Sequence, residues 1–178
     1  MATAGPGAIK IDIIVESNRW KEPGKTKAVL RRAIREAAAV LSTPGAELAI
    51  VLTDDSAIRV LNREWRGVDK ATNVLSFPTE CASGKPPLIG DIVLAHETIS
   101  REAHDESKPF AHHLAHLAVH GFLHLLGYDH QRDKDAEIME QLERRILRRL
   151  AIPDPYRQQP KNSKIAAKKI AKVRARTS

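Results

Sequence analysis

The sequence predicts an α+β protein, a sheet of about four strands with a ligand-bearing helix packed against one face. Three observations predict it. Segments with strand alternation and segments with helical spacing follow one another as strand, helix, strand, helix, two strands and then helices. At 178 residues, with 42% apolar and 29% charged side chains, the chain suits one globular domain with a substantial core. No apolar run approaches the roughly 18 residues of a membrane span, and the N-terminus MATAGPGAIK has neither a basic n-region nor an apolar h-region, which predicts a cytoplasmic protein.

IKIDIIVES alternates Ile9, Ile11, Ile13 and Val15 against Lys10, Asp12 and Glu16, the period of a half-buried strand. KTKAVLRRAIREAAAVLS sets Val29, Leu30, Ala33, Ile34, Ala37 and Leu41 at helical intervals, and Pro44-Gly45 stops it. ELAIVLT reads as a second strand, after which Asp54-Asp55 can cap a helix carrying Ile58, Leu61 and Trp65. NVLSF and DIVLAH are two short strands separated by a Gly/Pro-rich loop, and a helix of the ETISREA type follows. From Pro109 to Leu126 the spacing is again helical, with Gly127 placed as a left-handed terminator. Asp133 then caps a last helix with Ile138, Leu142, Ile146 and Leu150 inside. Cys81, the single cysteine, lies in the Gly/Pro/Ser-containing stretch CASGKPP and reads as a loop thiol of a reducing compartment.

The net charge of +7 is carried by the C-terminus. Eight of the 29 basic residues and one of the 22 acidic ones lie from Pro153 to Ser178, leaving 21 of each sign in residues 1–152. This divides the chain into a neutral body, 1–152, and a basic, mobile tail, 153–178. Bulk charge therefore says nothing of what the body does.

The chemistry is concentrated in HGFLHLLGYDH, residues 120 to 130. Histidines four apart on a helix project from one face and reach one ion, because four residues rise only about 6 Å. His120 and His124 form such a pair, and Gly127 permits the positive φ that brings His130 back to the same point. Three neutral imidazoles around Zn²⁺ leave a fourth position for water, the arrangement of a catalytic site. His112, His116, His120 and His124 all step by four, a row that also suits a polar helix face without metal. Geometry narrows the choice. His116 and His124 are about 12 Å apart in helix rise and cannot share an ion, and the pair His116/His120 lacks a third ligand beyond a glycine turn. His112, His113 and His116 are therefore expected at the surface or supporting the ligands. Asp129 either orients an imidazole or caps the turn.

Gly121 stands where a zinc peptidase of this spacing carries its glutamate base. Zinc lowers the pKa of bound water toward about 7, so hydroxide is available without a strong protein base. Peptide hydrolysis still needs a proton shuttle to the leaving amine, whereas phosphodiester cleavage is served by a metal and a cation that stabilise charge on phosphate oxygens. Arg66, at the end of a helix and before a glycine turn in NREWRGVDKATNVLSFP, is a candidate for that cation, although an arginine in a turn is ordinarily a solvated surface residue.

With HGFLHLLGYDH, ATNVLSFP and GDIVLAH in this chain, residues 9 to 150 resemble the bacterial YbeY family of rRNA maturation factors. The resemblance implies a mixed sheet flanked by helices on both sides, with a metal helix similar to that of zincins. It implies that His120, His124 and His130 bind one Zn²⁺ and that Arg66 is the arginine of the catalytic cleft. The implied activity is single-strand-specific, metal-dependent endoribonuclease cleavage in small-subunit rRNA 3′-end maturation and ribosome quality control. Single-stranded RNA, the small ribosomal subunit and its assembly proteins are then the expected partners, with no membrane and no DNA. A non-enzymatic ribosome-assembly factor with a mainly structural zinc site is the alternative, and a metallopeptidase is disfavoured by Gly121. The basic extension after Pro153 is not part of the shared pattern.

Overall fold

The structure, a computed structural model, describes residues 8–43, 45–79 and 88–157. The elements run β1 (Lys10–Val15), α1 (Pro23–Val40), β2 (Glu47–Thr53), α2 (Asp55–Arg66), β3 (Val74–Pro78), β4 (Leu88–Ala95), α3 (His96–Asp105), α4 (Phe110–Leu125) and α5 (Asp133–Arg149). The four strands lie in the order β1-β2-β4-β3. β1 pairs with β2 and β2 with β4 in parallel, as Ile13↔Ile50 and Ile50↔Ile92, while β3 runs antiparallel to β4 with Leu75↔Val93. The sheet is therefore mixed and the class α+β, as expected.

Alternation within the two central strands decides how the sheet is covered, since successive side chains point to opposite faces. Leu48, Ile50 and Leu52 of β2 and Ile92 and Leu94 of β4 enter the larger core, with Leu30 and Ile34 of α1, Phe122 of α4 and Ile146 of α5. Val93 and Ala95 turn to the other face, where with Leu75 they meet Ile58 of α2. Helices thus cover both faces, unequally. Burying each such aliphatic or aromatic side chain stabilises the fold by about 1.5–3 kcal/mol, so the α1/α4/α5 side dominates.

Several boundaries and faces differ from expectation. α1 begins at Pro23, where proline suits the first helical turn, and ends at Val40; Pro44 lies outside the described residues, as does Cys81. Asp54 caps α2 as predicted, accepting from the Ala57 amide at 3.0 Å. Trp65, however, is 70% exposed, because the small core under α2 reaches only Ile58 and Leu61. Val15 is exposed at the end of the edge strand β1. DIVLAH is extended N-terminally to Leu88, and His96 opens α3. Asp133 is the first residue of α5 rather than its cap, which is Arg132; there and at Asp135 the acids complement the helix dipole. Ile138 is 51% exposed, and the buried stripe of α5 is Met139, Glu143, Ile146 and Leu147. The helix is rotated so that a glutamate faces inward.

Pro153–Arg157, which composition places with the tail, are described and return toward α5 and α4; residues 158–178 lie outside the described residues. Among the described residues no helix is long and apolar enough to cross a membrane.

Candidate metal centre

α4 is surrounded. Leu114, Ala115, Leu117, Ala118, Val119, Phe122, Leu123 and Leu125 are all buried, which leaves one stripe of the helix for polar chemistry. His116, His120 and His124 occupy that stripe, each partly buried. The helix stops after Leu125, and Gly127 adopts φ +90°, a left-handed conformation that costs a residue with a side chain about 1–2 kcal/mol. This turn returns His130. The Asp129 carboxylate accepts the His130 amide at 2.6 Å, so Asp129 holds the turn.

His120, His124 and His130 each offer a ring nitrogen, and the three atoms lie within 4.8 Å of one another. His120 and His130 stack with ring centroids 5.5 Å apart, and His124 meets both edge-on. The predicted ligand set is therefore assembled in one place. His116 is not part of it.

Hydrogen bonds at the outer ring nitrogens fix what the inner ones can do. His120 Nδ1 lies 2.6 Å from Glu143 Oε1 and His124 Nδ1 lies 2.9 Å from the Tyr128 carbonyl oxygen. Both partners only accept, so both Nδ1 atoms donate, and in the neutral rings both Nε2 atoms keep their lone pairs. Yet the two Nε2 atoms face each other at 3.1 Å. Two lone pairs at that distance repel, unless a cation lies between them. Burial, and then the neighbouring charges of His120 and His130, push the His124 pKa below the usual histidine value, which favours the neutral ring that can ligate. A metal satisfies the arrangement, since ligand nitrogens about 2.0–2.1 Å from a tetrahedral ion stand about 3.3 Å apart. The residues present fit such an ion. An all-imidazole set suits zinc and other late first-row metals, and three ligands leave a position open.

Glu143 was not legible as a site residue. It is 1% exposed, and its Oε2 lies 2.9 Å from His116 Nε2. Burial alone would raise its pKa, but the hydrogen bonds from His116 and His120 outweigh it and bring the value down to about 2. It is thus a buried carboxylate. The signal available was its spacing, four after Met139 and three before Ile146, a charge on an apolar stripe. His113 is similarly engaged, with Nε2 2.7 Å from Glu102 Oε2, while His112 lines a cavity of about 330 Å³ beside Lys108 and Arg157.

Gly121 explains itself by packing. A Cβ built there would stand 3.0 Å from Ile92 Cγ2 and 3.1 Å from Ser76 Oγ, so the helix lies tightly against the sheet and a side chain would have to push these neighbours aside. A peptidase glutamate at 121 would set its Cβ against Ile92 and Ser76 of the sheet.

Arg66 ends α2 on the opposite face of the sheet from α4. It is exposed, and with Trp65, Ser76 and Phe77 it lines an open groove of about 650 Å³ whose lining, among the described residues, includes none of the three histidines. Ser76 joins the two regions across the edge strand β3: its hydroxyl donates to the Gly121 carbonyl at 3.2 Å, one residue from His120.

Comparison with known proteins agrees with the motifs. The family described as Endoribonuclease YbeY matches residues 13–151. A protein named Endoribonuclease YbeY from Rhodopseudomonas palustris (strain BisA53) is 53% identical over 155 residues, covering 83% of this chain and 90% of its own. One of the same name from Nitrobacter winogradskyi is 56% identical over 153 residues, covering 82% and 80%. The solution structure of TM1509 from Thermotoga maritima superposes with a TM-score of 0.53 at 22% identity, covering 86% of this chain and 99% of that one, a likeness of fold.

Proposed function

The chain belongs to the YbeY family, and from that premise we propose that it is a zinc-dependent endoribonuclease that cuts single-stranded RNA. Its place is the cytoplasm, in small-subunit rRNA 3′-end maturation and ribosome quality control, with the small subunit and its assembly proteins as partners. The observation that carries the metal reading is the pair of Nε2 atoms facing each other at 3.1 Å while both Nδ1 atoms are engaged as donors. His120, His124 and His130 would hold the zinc, which would supply a Lewis acid toward a phosphoryl oxygen and lower the pKa of bound water.

The chain's own residues supply the rest. Although α2 lies on the other face of the sheet from α4, an RNA strand wrapped over the β3 edge would bring a phosphate to Arg66, whose planar pair of N–H groups would stabilise the charge that develops there. Trp65, exposed beside it and edge-on to Phe77 at 5.8 Å, offers a stacking surface for an unpaired base. A strand crossing the β3 edge at Ser76 would run from this groove to the histidines. A duplex cannot present its bases to such a surface, which supports single-strand selectivity.

Cleavage of a defined single-stranded RNA by zinc-loaded protein, with Arg66→Ala prepared in parallel, tests the proposal. Cleavage by the wild type and its loss in the variant are expected. Equal cleavage by both would point to a contaminating nuclease or remove Arg66, and no cleavage by either would leave an assembly factor. A 5′-phosphate on the product assigns water as nucleophile; a 2′,3′-cyclic phosphate assigns the neighbouring hydroxyl.

A further inference from the structure

The buried carboxylate beside the metal centre has three donors, one of which comes from beyond the last helix. Glu143 Oε1 accepts from His120 Nδ1 at 2.6 Å, and Oε2 accepts from His116 Nε2 at 2.9 Å and from the Tyr156 hydroxyl. Tyr156 is itself fixed. Its ring meets His116 edge-on at 5.8 Å, the Arg144 guanidinium covers it at 4.9 Å, and Arg144 pairs with Asp154 at 3.4 Å. A carboxylate can only accept, so its bond to Nδ1 holds the proton there and leaves His120 Nε2 free to ligate.

We propose that Glu143 is the positioning residue that fixes His120 as a metal ligand, and that Tyr156 holds Glu143 in that pose, which makes the segment after α5 part of the metal centre. The inference rests on the metal reading of the three histidines. Outer partners of ligand histidines set the tautomer and the ring orientation, and their loss weakens metal binding by about 10–100-fold. Glutamine at 143 keeps one acceptor oxygen and adds two donors. With its amide nitrogen toward His120 it donates to Nδ1, drives the proton to Nε2 and removes the lone pair that the metal needs. Phenylalanine at 156 keeps the ring against His116 and beneath Arg144 and removes only the hydroxyl.

Zinc affinity by chelator competition, the ring-nitrogen NMR correlations of His120 and the thermal unfolding of metal-free protein are measured for wild type, Glu143→Gln and Tyr156→Phe. Wild type shows His120 protonated at Nδ1. Glu143→Gln binds zinc about 10–100-fold more weakly. Tyr156→Phe shows a smaller but measurable loss of zinc affinity, while its metal-free unfolding stays close to that of wild type. A purely structural role would lower the metal-free melting temperature and leave zinc affinity alone. Zinc-loaded wild type with His120 protonated at Nε2, or Glu143→Gln binding within twofold of wild type, would overturn the role of Glu143. Unchanged affinity in Tyr156→Phe would remove Tyr156. Should Glu143→Gln fail to fold, the wild-type tautomer and the Tyr156→Phe affinity decide the proposal. A wild type that binds no zinc is a separate outcome and defeats the metal reading itself.

Discussion

Replacing Gly121 by alanine sets two known effects against each other. In a helix interior alanine is favoured over glycine by about 0.8–1.0 kcal/mol. Here the added methyl would lie 3.0 Å and 3.3 Å from Ile92 Cγ2 and Cδ1 and 3.1 Å from Ser76 Oγ. Ile92 is fully buried between β2 and α4, so it has little freedom to move aside. Overpacking of this kind costs about 1–3 kcal/mol, which leaves a net loss of up to about 2 kcal/mol. For a chain of this length that lowers Tm by up to about 8 °C. Thermal unfolding of Gly121→Ala, Ile92→Ala and the double variant isolates the cause. If the methyl strikes Ile92, the double variant loses less than the sum of the singles, because the cavity left by Ile92 receives it. A stabilised Gly121→Ala, or strictly additive losses, would refute the close approach and reopen the position to a functional side chain.

Three further outcomes follow from the groove and the tail. Arg66→Ala should retain zinc content and Tm while its cleavage rate falls by about 10²-fold or more, and Arg66→Lys should recover little because a point charge lacks the planar fork, both read from single-turnover kinetics. Trp65 fluorescence should be quenched by a single-stranded oligonucleotide, since the other tryptophan, Trp20, is buried and donates to the Thr53 carbonyl; Trp65→Ala should weaken binding by about 1–3 kcal/mol per stacked base. Truncation after Arg157 removes seven cations, from Lys161 to Arg176, and no acid. It should flatten the salt dependence of binding to long RNA, at a slope of about 0.7 per lost contact, and leave zinc content unchanged. Coincident titrations at two salt concentrations would mean that this segment does not touch RNA.

The fold was legible where periodicity was strong. ELAIVLT and DIVLAH became the two central strands, and the spacing of α1 and α4 gave helices whose buried residues agree with the pattern. It failed where tertiary context sets the face. Trp65 follows helical spacing but overhangs a core too small to reach it, and Ile138 lost its inward place because Glu143 turns in to meet two histidines. The three histidines were legible because a helix step of four and a glycine turn fix their geometry almost independently of the rest. Glu143, twenty-three residues from His120, and Tyr156, beyond two prolines, reach the site only through the packing of α5 on α4. No local pattern carries that. Polar composition likewise hid the inward turn of Pro153–Arg157, because polarity reports solvent preference and not the single hydroxyl that reaches the buried Glu143.

Metal content is the most direct test of the central claim. Protein purified without added chelator or affinity metal, and assayed by elemental analysis, should carry about one zinc per chain. His124→Ala should lose most of it, since two imidazoles do not hold the ion as three do. Undiminished zinc in His124→Ala, or a wild type that takes up no zinc when it is supplied, would contradict the account.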